Sequence, residues 1–355
     1  MASSTFLYVG TDDGLITLKH EGKHEDGGRW ETLHHSLRGW EIPRFAVQQA
    51  RPNRVVAGTR GDGVWVSEDF GETWKKPSRG IPGAPGKVQC VTIDPNDPDT
   101  FYAGAEPVDM FVSRDAGVHW TRYGSVWEDP RVATVFNPGA EVEPYLRNVV
   151  LDPKTPTTIY VTLHVGYILR STDSGESWEL LDNGFDHDIH ALVVDPQNTD
   201  HIYLATGGDG ARKGTSAGRA LYMSKDGGGS WTPTAMEFDQ DFSMPLAMHP
   251  NRPEVLFSSM AKANPSKWVG RERGADSVVI RTTDGGAHWD RLENGLAVTS
   301  TRFAEAIVFD EEEPDNMYLG LRSGELYATS DGADSWAALD VTVPPDITTM
   351  RCVRA

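Results

Sequence analysis

Ser67-Glu68-Asp69-Phe70-Gly71-Glu72-Thr73-Trp74 decides the reading of this chain, because the same eight-residue pattern keeps returning. It recurs as Ser113-Arg114-Asp115-Ala116-Gly117-Val118-His119-Trp120 and as Ser171-Thr172-Asp173-Ser174-Gly175-Glu176-Ser177-Trp178. Further copies are Ser224-Lys225-Asp226-Gly227-Gly228-Gly229-Ser230-Trp231 and Thr282-Thr283-Asp284-Gly285-Gly286-Ala287-His288-Trp289. The sixth, Thr329-Ser330-Asp331-Gly332-Ala333-Asp334-Ser335-Trp336, has Ala333 where the others have glycine. The aspartates are 46, 58, 53, 58 and 47 residues apart. Self-similarity at that period marks an array of supersecondary units. The pattern S/T-x-D-x-G-x-x-W describes a turn with an anchor. An Asp side chain at a turn accepts backbone N–H bonds from just ahead of it. Glycine supplies a positive φ at little steric cost, and the Trp opens a strand and carries a large apolar surface to the core.

The pattern resembles the Asp-box, or BNR, repeat of sialidase-like β-propellers, and five of the six copies match it strictly. The resemblance implies that the boxes lie on the outer turns of the blades, so the box itself reads as structure. Each unit holds more than its box. An apolar strand runs into an Asp-Pro-like turn, a second strand of the Ile-Tyr-x-Gly type follows, a third enters the box, and the Trp strand closes the unit. The turns read Arg51-Pro52, Asp94-Pro95, Asp152-Pro153, Asp195-Pro196, His249-Pro250 and Asp310-Glu311. The second strands carry Val56, Tyr102, Tyr160, Tyr203, Phe257 and Tyr318 at one shared position. The ends supply a seventh unit: Leu7-Tyr8-Val9-Gly10-Thr11, Leu15-Ile16-Thr17-Leu18 and Trp30-Glu31-Thr32-Leu33 match its later strands, and Met350-Arg351-Cys352-Val353 its first. The expected fold is all-β, a seven-bladed propeller of four-stranded blades closed by both ends of the chain, which removes a free sheet edge. Residues 1–355 read as one domain, with six complete blades over about 42–340 and the seventh from about 5–34 plus 346–355.

Asp and Glu outnumber Lys and Arg by 52 to 33, giving a net charge of −19. That argues against nucleic acid, which needs a basic face. Two cysteines, Cys90 and Cys352, give no disulfide framework. No basic and apolar leader precedes Phe6-Leu7-Tyr8-Val9, and no stretch is long enough to span a bilayer, so the expected setting is cytoplasmic, with no membrane partner.

Propeller ligand sites sit at one end of the axis, lined by the first strand and the loop after the second. Five residues before the turn the units read Ala46, Gln89, Arg147, His190, Met244 and Glu305, with Arg351 from the closing strand. Two residues earlier, on the same face by strand period, they read Arg44, Lys87, Tyr145, Asp188, Phe242, Phe303 and Thr349. The second-strand exits read Arg60, Glu106, His164, Gly207, Ala261, Arg322 and Asp12. Five arginines, Arg44, Arg60, Arg147, Arg322 and Arg351, thus form a candidate site for an anionic ligand, since guanidinium fits carboxylate or phosphate bidentately. Tyr145 and Gln89 join them as substrate-binding candidates. The alternative is a set of mutual ion pairs closing a wet channel. His164, His187 and His190, with Glu106 or Asp188, are candidates for a divalent metal, and one of the histidines for a base near neutral pH; no cofactor is otherwise required.

The loops 124–144, 207–219 and 261–275 are long enough to carry function on a rigid scaffold. The third holds Lys262, Lys267, Trp268, Arg271 and Arg273. The resemblance extends to sialidases, xyloglucan-type glycosidases and photosystem-assembly factors. A sialidase needs an arginine triad, a Tyr/Glu nucleophile pair and an Asp acid; its Arg-Ile-Pro motif is missing here, and Tyr145 near Glu143 is a weak echo of the pair. Two functions stay open. One is a glycosyl hydrolase-like enzyme, with acid/base carboxylates drawn from Glu106, Asp188, Glu143 and Glu305, and His190 assisting. The other is a non-catalytic propeller that binds a small molecule, glycan or protein at the same place.

Overall fold

The computed structural model describes residues 4–22, 29–77, 81, 86–128, 130, 145–208, 220–234, 236–268, 271–296 and 301–355. The chain is a seven-bladed β-propeller of antiparallel four-stranded sheets, with no α-helix among the described residues. Blade one holds Phe45–Gln48, Arg51–Thr59 and Gly63–Ser67, its fourth strand reduced to a bridge between Val66 and Lys75. The seventh sheet has the order Ile347–Arg354, Ser4–Thr11, Gly14–Glu21, Trp30–Ser36, so strands from both ends of the chain lie side by side as expected. Backbone contacts group the chain into two compact units, 1–180 with 343–355 and 181–342. No described helix is long and apolar enough to cross a membrane.

Within each unit a blade packs alternate side chains of its middle strands into a layer shared with its neighbour. In the first unit Phe101, Phe111, Val56 and Trp120 form one such layer, and Leu146, Val161 and Leu169 belong to the next. In the second unit Leu256, Ile280, Tyr203 and Trp289 do the same.

The box is more fully hydrogen-bonded than its sequence suggests. In the first copy Ser67 Oγ donates to Asp69 Oδ1 at 2.7 Å and accepts the Gly71 N–H at 2.9 Å. Asp69 also accepts the Thr73 N–H at 2.9 Å and its hydroxyl at 2.5 Å. The other copies repeat this arrangement, with His119 and His288 ring nitrogens standing in for the hydroxyl. Two consecutive residues, not the glycine alone, lie at positive φ: Phe70 at 60° with Gly71 at 87°, and in the sixth copy Gly332 at 69° with Ala333 at 74°. The bonds to the carboxylates hold Asp115, Asp173, Asp226 and Asp284 down at about 2; backbone and side-chain N–H and O–H groups of the residue four ahead dominate each shift. The box tryptophans are not buried alike. Trp120, Trp336, Trp289 and Trp231 are buried, while Trp74 and Trp178 are half-buried.

Candidate functional site

Every first strand carries one extra residue at the same depth. The ladder skips Gln89 between Val88 and Cys90, Arg147 between Leu146 and Asn148, His190 between Ile189 and Ala191, and Glu305 between Ala304 and Ala306. In blade five the gap between Ser243 and Leu246 takes in Met244 and Pro245, and in blade seven Thr348 is passed over between Ile347 and Thr349. In blade one the bonds Gly58 N–H to Arg44 O and Arg60 N–H to Glu41 O leave Pro43 at this place. These are β-bulges, which re-aim a side chain and locally interrupt the period of two. Two residues before each bulge, a carbonyl accepts the N–H of the second-strand exit: Lys87 from Glu106, Tyr145 from His164, Asp188 from Gly207 and Phe303 from Arg322.

In this register the positions read for blades two to six stand at one level of the ladder, and those read for blades one and seven do not. Arg51-Pro52 corresponds to Asp97-Pro98, the later half of the turn, rather than to Asp94-Pro95, because Gln48 pairs with Arg51 across a tight hairpin. The blade-one positions therefore move back by three: Pro43 replaces Ala46, and Glu41 replaces Arg44. In blade seven Tyr8 pairs with Arg351, as Tyr102 pairs with Thr92, so the bulge residue is Thr348 and the position before it is Asp346. Arg351 is exposed three residues away, and its Nη1 donates to the Met350 carbonyl. Arg44 turns its Nη1 onto the carbonyls of Pro43 and Thr348 at 2.8 and 3.1 Å. Glu41, Asp346 and Thr348 were missed; thirteen residues back from the shared second-strand aromatic position lands on the bulge in blades one to six, and that count would have found blade one.

Three of the five arginines, Arg60, Arg147 and Arg322, thus stand at the positions read for them. Arg60 ion-pairs with Glu41 at 3.1 Å and donates to Gln89 Oε1 at 3.0 Å. Gln89 Nε2 donates to Glu106 Oε2 at 2.5 Å, and Lys87 Nζ reaches the other oxygen at 2.6 Å. Glu106 is only 6% exposed, so this chain of four side chains satisfies a carboxylate that would otherwise be buried unpaired. Arg322 pairs with Glu305 at 3.1 Å, its carboxylate side chain buried. Arg147 is a half-buried bulge residue. Nearby in the same blade, Tyr145 is buried and stacks on His164 with centroids 4.5 Å apart and planes 10° from parallel.

In the 181–342 unit the bulge builds a second cluster. His190 is 3% exposed; Nδ1 donates to the Ser243 carbonyl at 2.5 Å, and Nε2 lies 3.3 Å from Asp188 Oδ2. Asp188 has its carboxylate against Gly207, where a Cβ would come within 2.2 Å of Oδ2. Only glycine leaves room for that side chain at the strand exit. Asp186 accepts the Asp188 N–H at 2.9 Å, and the half-buried His187 lies between them in sequence. The His190 ring meets Phe242 edge-on at 4.9 Å. Phe242 in turn contacts Trp268 and Phe303, whose own rings are 5.2 Å apart. Trp268 is half-buried, its indole N–H donated to the Ala263 carbonyl. Among the described residues no three His, Cys, Asp or Glu side chains gather as a metal site requires. Glu143 lies outside the described residues, as do most of loops 124–144 and 207–219.

The fold is a seven-bladed β-propeller with the same hydrogen-bonded box on six of its outer turns. A family model described as sortilin, neurotensin receptor 3, matches residues 166–297. The oligoxyloglucan-reducing end-specific xyloglucanase of Emericella nidulans is 23% identical over 213 residues, 55% of this chain and 24% of that protein. Xyloglucanase Xgh74A of Acetivibrio thermocellus is 25% identical over 288 residues, 71% of this chain and 32% of its own. The chain therefore spans no more than about a third of these curated relatives. Among solved structures an ancestral GH74 enzyme superposes with a TM-score of 0.60 at 17% identity, over 88% of this chain and 38% of that one. YCF48 bound to D1 peptide gives 0.55 at 15% identity, over 84% and 82%. These likenesses establish the fold.

Proposed function

We propose that the chain is a glycan-directed propeller of glycosyl hydrolase-like type, with a ligand site in the 181–342 unit around Asp188. The observation that carries this reading is the partly exposed Asp188 carboxylate beside the buried His190, whose ring meets Phe242 edge-on, with Trp268 and Phe303 in contact with Phe242 in turn. A fixed carboxylate accepts hydrogen bonds from sugar hydroxyls, and of the three rings the half-buried Trp268 is the one that can pack against the apolar C–H face of a pyranose, Phe242 and Phe303 being buried behind it. The ligand in this reading is a neutral polyol rather than an anion. Arg60 and Arg322 are already paired, and Arg44 and Arg351 stand outside the bulge register. The catalytic form of the reading uses Asp188 and Glu305, the two candidate carboxylates of this unit, as acid and base.

Xyloglucan oligosaccharides and chromogenic glycosides test it. A glycan should raise the Tm of the native protein, and the rise should vanish in Asp188→Asn and Trp268→Ala. Hydrolysis, where seen, should be lost in Asp188→Asn. The reading fails if no glycan shifts Tm while the folded protein is intact. A second reading, a peptide-binding assembly propeller, is favoured by one observation: the match spans most of the YCF48 chain but only a minor part of the xyloglucanases. Binding of an extended peptide with no glycan response would select it.

A further inference from the structure

The turn between the first and second strands is capped the same way in four blades. Asp94 Oδ1 accepts the Asn96 N–H at 2.8 Å, and Asp152 those of Lys154 and Thr155 at 2.8 Å. Asp195 does so for Gln197 and Asn198, and Asp310 for Glu312 and Glu313. Blade five has a histidine in that place. His249 Nδ1 accepts the N–H groups of Asn251 and Arg252, each at 3.1 Å. The opposite nitrogen, Nε2, faces the Arg252 guanidinium, with Nε at 3.2 Å and Nη2 at 2.8 Å. Four N–H donors therefore converge on one ring. A neutral imidazole offers them a single lone pair, and an imidazolium offers none.

The surroundings have been arranged to keep that ring neutral. It is 5% exposed and packs edge-on against Phe309 at 5.4 Å. Burial and the neighbouring Arg252 lower its protonation midpoint below the ordinary histidine value; Asp315 and Glu254 pull the other way but do not prevail. Asp315 is occupied, since it ion-pairs with Arg252 Nη2 at 2.9 Å and so ties blade five to blade six. The remaining charges that line the crevice beside the ring are also committed. Arg281 is bound to Asp334 and to the Gly332 carbonyl, and Asp331 to its own box. The crevice itself, of about 270 Å³, has a counterpart beside the Asp195 turn and is a by-product of the repeat.

We propose that His249 makes this hairpin an acid-sensitive latch: taking up a second proton removes the cap of the turn and repels Arg252, loosening its hold on blade six. The sign follows from the lowered midpoint. Above the unfolded histidine's pKa of about 6.5 the neutral ring keeps the lone pair that caps the turn. As pH falls below that value the opened form binds more protons than the closed form, so opening is favoured progressively down to the folded midpoint.

Amide hydrogen exchange on the full chain reads this directly. Between pH 7.5 and 5.5 the protection factors of Asn251 and Arg252, corrected for intrinsic rates, should fall by roughly three- to tenfold. Those of Gln197 and Asn198 should stay level. His249→Asp, which installs the cap used in the other four blades, should abolish the drop, and His249→Gln, a neutral side chain, should abolish it too if the aspartate variant folds poorly. Equal protection of Asn251 and Arg252 at both pH values, or a drop that persists in either variant, overturns the latch.

Discussion

The outer turns and the first-strand bulges are both repeated around the fold, yet one is written in the sequence and the other is not. Six outer turns keep Ser or Thr, Asp and Trp because those side chains make the turn: the hydroxyl and carboxylate take up the backbone N–H groups of the loop. The seven bulges are held by backbone ladder bonds on either side of the extra residue. A side chain that does not build the geometry is free to change, and the bulge positions read Pro43, Gln89, Arg147, His190, Met244, Glu305 and Thr348. A backbone-made repeat thus offers seven interchangeable places on one scaffold, the arrangement in which sites are grafted onto folds.

Substitutions at the two regions should therefore differ in kind. The largest effect is expected at Trp120, 3% exposed in the layer with Phe101 and Phe111. Trp120→Ala should cost about 3–5 kcal/mol in urea unfolding, and Trp178→Ala, half-buried, clearly less. Equal losses would mean that the boxes are energetically alike despite their burial. A smaller effect of opposite sign is expected at Ala333, which sits at φ 74° where the other copies have glycine. Ala333→Gly should relieve that strain and stabilise by up to about 1 kcal/mol; a loss of stability would show that its methyl group, 1% exposed, packs better than its backbone suffers. The smallest is expected at the bulge. Glu305→Gln removes an ion pair whose arginine is 44% exposed, so the change should stay within about 1 kcal/mol, and a loss of several would make the bulge residue structural after all.

How much the sequence disclosed follows from the same contrast. The box marked six units and their phase, and the seventh was legible because Leu7-Tyr8-Val9-Gly10 and its successors match the later strands of a unit and Met350-Arg351-Cys352-Val353 the missing first. Register failed in the two blades whose turn gave no true starting point for the count. In blade one Arg51-Pro52 imitates the turn three residues late, and in blade seven the first strand arrives from the other end of the chain with no turn before it. Arg44 and Arg351 entered the candidate site by that slip, and Glu41 and Asp346 were left out. The pairing of Arg60 with Glu41 was hidden for the same reason. The bulge was invisible because an extra residue in a strand leaves no compositional mark, so the Asp188–His190 contact and its support from Gly207 and Ser243 had to be seen in the structure.

The seventh sheet has a consequence in time. Ser4–Thr11 pairs with Ile347–Arg354, and Ser4 and Ala355 exchange backbone hydrogen bonds at 2.8 and 3.0 Å. During synthesis residues 4–36 are made long before their fourth strand, which they acquire only after residue 347 has been added. Throughout that interval the strand containing Tyr8 has one open edge, and closing it brings together segments more than 300 residues apart, the slowest kind of contact to form. The blades in between can each assemble from consecutive segments, so this sheet is the step at which synthesis and folding must wait for one another.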